Sequence, residues 1–390
     1  MGERFETLLT ALSFVGVLVA VLFFLNFIDE EKTTLVASSP VPTATSAVET
    51  TPEHNADAVV AAPPSPKKEE SPRAVTAPKK ASVEPKKEVV QKRTTTTIAH
   101  EEPLYPFPVI PFDNINVSTR AALVNIMCMP RGGTFRPISG SGVLIDPRGI
   151  ILTNAHVAQY ILLSESTKVD LACTIRSGTP AVAHWKAEVL YMPSVWVDEH
   201  AKDLNAERPR STGEHDYALL RITSRVDGSS IASPLPFIPI DTRDKLEFPG
   251  DPVLVAGYPA EFIGGIAASS NLYPVSSVTT IKQLLTFETG SVDLFSVGGV
   301  IEAQGGSSGG AVVNSWNYLL GIITTTSEGA TTADRDLRII TLDYINRDML
   351  VQTGGSIGEK ISGDVAQKSL DFQTEVAPAL IEKFLAKISH

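Results

Sequence analysis

Residues 139–157 read SGSGVLIDPRGIILTNAHV, in which two apolar runs, 141–145 and 150–155, stand close together. The four residues between the runs, 146–149, read Asp-Pro-Arg-Gly, a combination that is typical of tight turns. We therefore expect the two runs to form the strands of a β-hairpin. The second run leads directly to His156, so the hairpin would carry a candidate catalytic base at its end.

Runs of the same kind continue through residues 113–352. Short apolar or alternating segments are separated by turn residues, whereas helical periodicity is scarce and is found near 155–163 and 343–351. Many short strands at this spacing predict an all-β barrel or sandwich. A segment of about 240 residues is long enough to bury two cores.

The chain before this region has a different composition. Residues 8–28 carry no charge, and these 21 residues are enough to span a bilayer as a helix. The segment ends in bulky and acidic residues rather than small ones, which favours an uncleaved anchor over a signal peptide. The flanking charges place residues 1–7 in the cytoplasm and predict a single-pass protein whose remaining chain is periplasmic or extracellular. Residues 29–104, rich in Pro, Thr, Lys and Glu, predict a disordered linker.

The composition argues against several classes of partner. A net charge of −11 disfavours nucleic acid, whose binding requires clustered basic residues. The histidines and cysteines show no metal-ligand spacing, so neither a metal nor another cofactor is predicted.

Cys128 and Cys173 fall on the apolar side of predicted strands, which favours two buried free thiols over a disulfide. The tail, 353–390, has apolar residues at every fourth position and predicts an amphipathic helix, packed on the domain or on a partner.

Residues 304–310 read QGGSSGG and contain the candidate nucleophile, Ser308. Glycines allow the tight turn that points successive amides into one pocket, so the amides of Gly306 and Ser308 are natural oxyanion donors. Two apolar runs follow at once, which favours a held loop over a flexible one. His156 is the candidate base, and Asp216, directly before the apolar run YALLRI, is the candidate orienting acid.

Three blocks, taken in order, resemble the signatures of the trypsin-like (chymotrypsin-fold) serine proteases. They are SGSGVLIDPRGIILTNAHV around His156, HDYALLRI around Asp216 and GGSSGGAVVNSWNYLLGI around Ser308. The blocks are most similar to the bacterial HtrA/Deg group, although no PDZ domain follows. The resemblance implies an all-β fold of two six-stranded antiparallel β-barrels, with the triad in the cleft between them. It also implies a serine endopeptidase that cleaves protein or peptide substrates through an acyl-enzyme.

The resemblance assigns further residues to the site. It places the oxyanion hole at Gly306, Ser307 and Ser308, and substrate binding at Glu302, Thr324, Thr325 and Thr326. Glu302 stands six positions before the nucleophile, where this superfamily lines the floor of the S1 pocket. A carboxylate there would favour Lys or Arg at P1 through a charge-assisted hydrogen bond. Against this, HtrA-like relatives usually carry small apolar residues at this position and cut after Val, Ala or similar residues. The alternative is that Glu302 turns outward as an ordinary solvated acid or has a structural role.

Two features of the sequence depart from the HtrA/Deg pattern, and the resemblance implies two further properties. Ser307 stands where relatives usually carry Asn or Asp, and a polar insert, 192–214, lengthens the loop before Asp216. Relatives often trimerise and act on damaged envelope proteins. We therefore also expect a homo-oligomer and a role in envelope protein quality control, both on the resemblance alone.

Two other classes of protein compete with a protease. The pattern Gly306-x-Ser308-x-Gly310 also fits the nucleophile elbow of α/β-hydrolases. That fold needs its Asp and His after the serine, whereas the convincing candidates precede it here. The second alternative is a catalytically inactive protease fold that serves as a binding module tethered to the membrane. A fluorophosphonate probe separates this inactive module from an active serine hydrolase, because labelling of Ser308 requires an activated hydroxyl.

Overall fold

The computed structural model describes most of the chain from Leu104 onward. The described ranges are 104–132, 136–204, 212–231, 234–261, 264–287, 290–327 and 329–388. The predicted transmembrane helix, 8–28, and all but the last residue of the predicted linker, 29–104, lie outside them. Among the helices within these ranges, none has both the length and the apolar character needed to cross a membrane.

Six antiparallel strands close into a barrel in the first half of the described chain. They are β1 Leu123–Pro130, β2 Ile138–Asp146, β3 Ile150–Thr153, β4 Leu171–Ser177, β5 Val182–Tyr191 and β6 Ala218–Arg225, arranged around the barrel as β1-β2-β3-β6-β5-β4. The predicted hairpin is the β2–β3 pair, in which the Gly149 amide donates to the Asp146 carbonyl at 3.0 Å. Helix α1, Phe112–Ala122, precedes the barrel, and helix α2, Ala155–Ser164, follows β3 at the helical segment that the sequence predicts.

The second β unit differs from the predicted six-stranded barrel. It is a seven-stranded antiparallel sheet, ordered β8-β7-β11-β12-β13-β10-β9. Its strands are β7 Pro252–Gly257, β8 Val275–Thr280, β9 Gln283–Leu285, β10 Leu294–Gly298, β11 Ala311–Asn314, β12 Leu319–Thr326 and β13 Leu337–Thr341, and helix α4, Gly264–Ser270, lies between β7 and β8.

The two edge strands of this sheet are neighbours along the chain. Only Ile281 and Lys282 separate β8 from β9, and their amides donate to the carbonyls of Asp251 and Ser296. The main chain therefore bends at this point, from pairing with β7 to pairing with β10. The bend separates β8 from β9, and within the described ranges the sheet is barrel-like without a closing ladder of hydrogen bonds.

Helices complete the chain after the last strand. Helix α5, Leu342–Thr353, follows β13 directly, at the second helical segment that the sequence predicts. The tail then forms α6 Ile357–Ile361, α7 Val365–Asp371, a π-helical turn Phe372–Val376 and α8 Ala377–Ile388. Pro378 has no amide proton, which accounts for the widened turn before it. The tail packs on the first barrel, where Gln373 Nε2 donates to the Val189 carbonyl at 2.7 Å.

The first half of the predicted polar insert, 192–214, is helical. Helix α3, Ser194–His200, continues into a short 3₁₀ turn, Ala201–Asp203. Trp196 and Val197 are buried, and α3 packs against α8 of the tail. This half of the insert is therefore a packed helical segment rather than a polar loop, because a short helix can bury its few large apolar side chains on one face while its polar residues face solvent. Residues 205–211 lie outside the described chain.

Cys128 and Cys173 form a disulfide, and the prediction of two free thiols is therefore wrong. The residues face each other directly in the antiparallel β1–β4 pair. Both do lie on the apolar side of their strands, as the alternation indicates, and Cys128 is fully buried. The sequence could not show that β1 and β4 are neighbours, which is what brings the two sulfur atoms together.

Replacing both cysteines with alanine should lower the free energy of unfolding by about 4 kcal/mol in the chain-entropy model, because the bond closes a loop of 45 residues. Urea denaturation of the variant, and of the wild type with and without reductant, measures this difference. Reduced wild type should match the variant. Equal midpoints in all samples, or two titratable thiols in the native protein, would contradict the disulfide.

Candidate active site

His156 and Asp216 form a hydrogen-bonded pair at the edge of the first barrel. His156 lies in the first turn of α2, directly after β3, and Asp216 lies two residues before β6, which pairs with β3. The Nδ1 atom of His156 is 2.7 Å from Asp216 Oδ2, and the His156 amide donates to Oδ1 at 3.0 Å. The Asp216 side chain is 1% exposed and that of His156 is 32% exposed. The pair therefore orients the imidazole and leaves Nε2 for another partner.

Two further residues hold Asp216 in place. Thr324 Oγ1 donates to Oδ2 at 2.9 Å, and Asn154 Nδ2 donates to the Asp216 carbonyl at 2.9 Å. Thr324 lies at an irregularity of the β12–β13 ladder, between the paired residues Ile323 and Thr325. A bulged residue of this kind can aim its side chain away from the regular pleat. Since Thr324 belongs to the second sheet, its hydrogen bond joins the two β units at the site.

The surroundings shift the pKa values of both members of the pair. Burial alone would lower the pKa of His156, but the Asp216 carboxylate outweighs burial and raises the pKa above its usual value. Burial would raise the pKa of Asp216, yet its contacts with His156 and Thr324 hold it below the usual range. Asp216 is therefore ionised near neutral pH, and its charge stabilises a proton on His156.

Ser308 lies on the loop between β10 and β11, which packs against both β units. The Ser308 carbonyl accepts a hydrogen bond from the Ser141 amide of β2 at 2.8 Å. The Ser141 hydroxyl donates to the Gly306 carbonyl at 2.8 Å and accepts from the Tyr258 amide, just after β7, at 2.9 Å. One serine of the first barrel thus binds the loop at two points and binds the second sheet as well.

Two glycines of the loop occupy space that no other residue could enter. Gly309 has a φ of 84°, and a Cβ atom there would lie 2.1 Å from the Ser141 carbonyl oxygen and 2.4 Å from Thr153 Oγ1. Gly306 has a φ of 95°, and a Cβ atom there would lie 2.8 Å from the Tyr258 carbonyl oxygen. The glycine run is therefore required by close backbone packing and left-handed conformation, as expected for a held loop.

The contact between Gly309 and Thr153 brings the candidate nucleophile and base to one site. Thr153 ends β3, three residues before His156, and Gly309 directly follows Ser308. His156, Asp216 and Ser308, which are far apart in the sequence, therefore meet where the two β units join. Their catalytic roles stay a prediction from the sequence.

The amides predicted to form the oxyanion hole are not equivalent. The Ser307 amide donates to the Gln304 carbonyl at 3.3 Å, within the loop itself. In the part of the chain that the structure describes, the amides of Gly306 and Ser308 donate to no protein acceptor. These two amides therefore stay candidate oxyanion donors, whereas the Ser307 amide is engaged within the loop.

Glu302 is fully buried, so the alternative in which it turns outward to solvent is wrong. Neither carboxylate oxygen has a hydrogen bond of ordinary length among the described residues. Burial raises the pKa of Glu302 to about 7, and its own amide and the nearby Ser277 offset only part of that effect. Burying a carboxylate with so little hydrogen bonding is costly, which makes Glu302 a candidate recognition group.

The remaining predicted substrate-binding residues lie on β12. Thr325 and Thr326 pair with Arg338 and Leu337 of β13. The resemblance assigns Thr324 to substrate binding, but in the structure its hydroxyl donates to Asp216. Its role in the structure is therefore to hold the acid.

Sequence reasoning missed Ser141 and the positioning role of Thr324. A signal for Ser141 was present, since a small polar residue stands between Gly140 and Gly142 at the start of an apolar run. No local pattern marks Thr324, because its function depends on a bulge and on a partner in the other β unit.

The match to a known family agrees with this fold and site. Residues 140–322 match the family model of the trypsin-like peptidase domain, and this stretch includes His156, Asp216 and Ser308. The chain therefore contains a trypsin-like peptidase domain over these residues. One closed barrel and one barrel-like sheet are consistent with the double β-barrel of chymotrypsin-like serine proteases. A comparison with curated proteins finds no match to the chain.

Proposed function

We propose that this protein is a serine endopeptidase with His156, Asp216 and Ser308 as its catalytic triad. The observation that carries the proposal is the 2.7 Å hydrogen bond between His156 Nδ1 and Asp216 Oδ2, beside a glycine-constrained loop that bears Ser308. The trypsin-like peptidase domain supports this class of hydrolase. Acyl transfer requires a nucleophile, a base, an orienting acid and oxyanion donors, and each has a candidate at this site.

In the proposed mechanism Ser308 Oγ attacks the carbonyl carbon of the scissile peptide while His156 Nε2 accepts the hydroxyl proton. Asp216 orients the imidazole and stabilises the imidazolium that forms. The amides of Gly306 and Ser308 donate to the developing oxyanion. His156 then gives its proton to the leaving amine, and an acyl-enzyme remains on Ser308. Water, deprotonated by His156, hydrolyses this ester and restores the enzyme.

A fluorophosphonate probe tests the proposal on the full-length protein in detergent. We expect stoichiometric labelling at Ser308, identified by mass spectrometry, together with hydrolysis of an unstructured protein such as casein. Heat-denatured protein is the control for nonspecific labelling. If the native protein is neither labelled nor active, the inactive binding module becomes the better interpretation.

We also propose that Glu302 lies at the floor of the S1 pocket and selects Lys or Arg at P1. Its support is a buried carboxylate, on the loop that leads to Ser308, for which the described residues offer no hydrogen bond of ordinary length. A P1 guanidinium or ammonium group would supply the missing partner and offset the cost of burying the charge.

The preference for Arg over a neutral P1 residue, taken as the ratio of kcat/KM values, should increase as the pH rises through about 7. Above that pH the Glu302 carboxyl is ionised, whereas below it the neutral acid attracts a cation weakly. Because His156 titrates with both substrates, it cancels from the ratio. Glu302→Gln should remove the pH dependence and lower the preference on the order of 10-fold or more.

Glu247→Gln is the matched control for this experiment. Glu247 is also buried, and burial raises its pKa to about 8, but it lies near Asp343 of α5 instead of on the nucleophile loop. We expect that variant to keep the wild-type ratio at every pH. A wild type that prefers small aliphatic P1 residues, with a profile that Glu302→Gln leaves unchanged, would show that Glu302 has no part in recognition.

The proposal extends to the location of the enzyme. Residues 8–28 would anchor the protein as a single membrane span, with the peptidase domain in the periplasm or outside the cell. The Cys128–Cys173 disulfide supports an oxidising compartment. Protease added to intact spheroplasts should cut the linker, and complete protection of the chain would overturn this topology.

The resemblance to the HtrA/Deg group supports two further parts of the proposal. These are a role in envelope protein quality control and assembly into a homo-oligomer. A quality-control enzyme should cleave a reduced, unfolded protein faster than its folded form. Light scattering of the purified protein gives the oligomeric state, and a monomer at all concentrations would contradict the second part.

A further inference from the structure

An ion pair between Glu261 and Arg335 stands beside the loop that carries Ser308. Arg335 Nη1 is 2.8 Å from Glu261 Oε2, and Nη2 donates to Oε1 at 3.0 Å, so the contact is bidentate. Glu261 follows β7, and Arg335 precedes β13. Arg335 is largely buried, with 13% of its side chain exposed, and the paired carboxylate raises its pKa. Bidentate pairs of this kind combine strength with a fixed geometry.

The pair is bonded directly to the main chain of the nucleophile loop. The Gly305 amide donates to Glu261 Oε2 at 2.9 Å, and Arg335 Nη1 donates to the Ala303 carbonyl at 2.7 Å. The amides of Ala260 and Glu261 donate to the Gly305 carbonyl at 2.8 and 3.1 Å. Both polar groups of Gly305 are therefore held by the segment that contains Glu261.

These contacts determine where the Gly306 amide points. A peptide bond is planar, so the Gly305 carbonyl and the Gly306 N–H lie in one plane and point in opposite directions. Hydrogen bonds that fix the carbonyl on one side therefore fix the N–H on the other. Gly306 has a left-handed φ of 95°, and a glycine in that conformation could rotate easily if its neighbours did not restrain it.

We propose that Glu261 and Arg335 are positioning residues that hold the Gly306 amide in the orientation required of an oxyanion donor. This inference rests on the proposed function, and it assigns the pair to transition-state stabilisation rather than to substrate binding. Arg335 donates to both the Glu261 carboxylate and the Ala303 carbonyl and so fixes their relative position. The Glu261 carboxylate in turn accepts from the Gly305 amide. Without the pair, the amides of Ala260 and Glu261 still bind the Gly305 carbonyl, but the Gly305 amide and the Ala303 carbonyl lose their side-chain partners. The peptide between Gly305 and Gly306 then spends less time in the orientation that points the Gly306 amide into the site.

Arg335→Met and Glu261→Gln should each lower kcat on the order of 10- to 100-fold and leave KM within about threefold. The loss is smaller than the 10²- to 10³-fold cost of deleting an oxyanion donor, because the amide still visits its position. The affinity for a peptide boronic acid, which resembles the tetrahedral intermediate, should fall by the same factor as kcat/KM. Binding of a product peptide should not change.

Two comparisons separate positioning from general stability. Arg148 also forms a bidentate pair, with Asp146, and also donates to backbone carbonyls, at Gly363 and Ile361. Arg148→Met should therefore reduce stability with no effect on kcat. The double variant Glu261→Arg with Arg335→Glu should recover stability but not kcat, because an arginine at 261 cannot accept the Gly305 amide.

Amide hydrogen exchange of the peptide that spans 299–310 provides a readout that does not depend on activity. Exchange should accelerate in Arg335→Met and stay at the wild-type rate in Arg148→Met. Unchanged exchange and unchanged kcat in Arg335→Met would overturn the inference while the proposed function stands. A wild type that is neither labelled by fluorophosphonate nor active would instead overturn the proposed function, and the exchange rates would still decide whether the pair holds the loop.

Discussion

Peptide hydrolysis by a Ser308→Ala variant should fall on the order of 10³-fold or more below the wild type, with the fold intact. The Ser308 side chain is only half-buried, and the loop is held through main-chain contacts of Ser308, Gly306 and Gly309. Removing one hydroxyl therefore takes away the nucleophile without removing what positions the loop. Thermal unfolding and circular dichroism should match the wild type.

His156→Ala should reduce turnover by a similar factor, and the double variant should lose little more. Nucleophile and base act as one unit, so the effects of removing them do not add. Ser307→Ala is the matched control, since it deletes the neighbouring hydroxyl, which is buried and has no hydrogen-bond partner among the described residues. Near-normal turnover by Ser308→Ala would exclude it as the nucleophile.

The local parts of the fold could be predicted because their causes are local. The turn at 146–149 lies between two apolar runs, and the glycines around Ser308 predict a constrained loop; the structure has a hairpin and a packed loop at these places. The helical segments near 155–163 and 343–351 are also present, as α2 and α5. In each case the periodicity or the turn chemistry lies within one short stretch of chain.

The features that sequence reasoning missed depend on distant partners. The disulfide requires β1 to pair with β4, and the open second sheet follows from a bend at Ile281 that carbonyls of other segments stabilise. Glu302 carries a charge at neutral pH in water, so its sequence context favoured exposure, whereas the tertiary fold buries it. The Glu261–Arg335 pair joins loops 74 residues apart, and neither residue belongs to a recognisable motif.

Asp216→Asn should lower kcat by roughly 10⁴-fold at pH 8. A loss of this size is expected when the histidine of a catalytic triad adopts the wrong tautomer. In the wild type, the ionised Asp216 carboxylate accepts a hydrogen bond from His156 Nδ1, so the neutral imidazole keeps its proton there. The asparagine amide would instead donate to Nδ1. The remaining proton would then lie on Nε2, the atom that must accept the proton of Ser308.

The same substitution should shift the pH dependence of kcat/KM to lower pH. Activity requires neutral His156, so it rises as the pH increases through the pKa of that residue. The Asp216 carboxylate raises this pKa above its usual value, whereas burial acts in the opposite direction. Without the negative charge only the lowering effect of burial remains, and the activity of the variant should level off at a lower pH than that of the wild type. The ratio of wild-type to variant activity should therefore be smaller at acidic pH than at pH 8.

Thr324→Val separates the charge of Asp216 from its hydrogen bonds. The Thr324 hydroxyl donates to Oδ2, the same oxygen that binds His156, but it does not set the tautomer. We expect a much smaller loss, on the order of 10-fold, because one hydrogen bond to a charged group is worth about 1.5–3 kcal/mol and the carboxylate keeps its place through the His156 amide. Full pH–rate profiles of the three enzymes measure both effects. If the kcat of Asp216→Asn stayed within tenfold of the wild-type value at pH 8, the orienting acid would have to be another residue. The hydrogen bond between His156 Nδ1 and Asp216 Oδ2 would then have only a structural role.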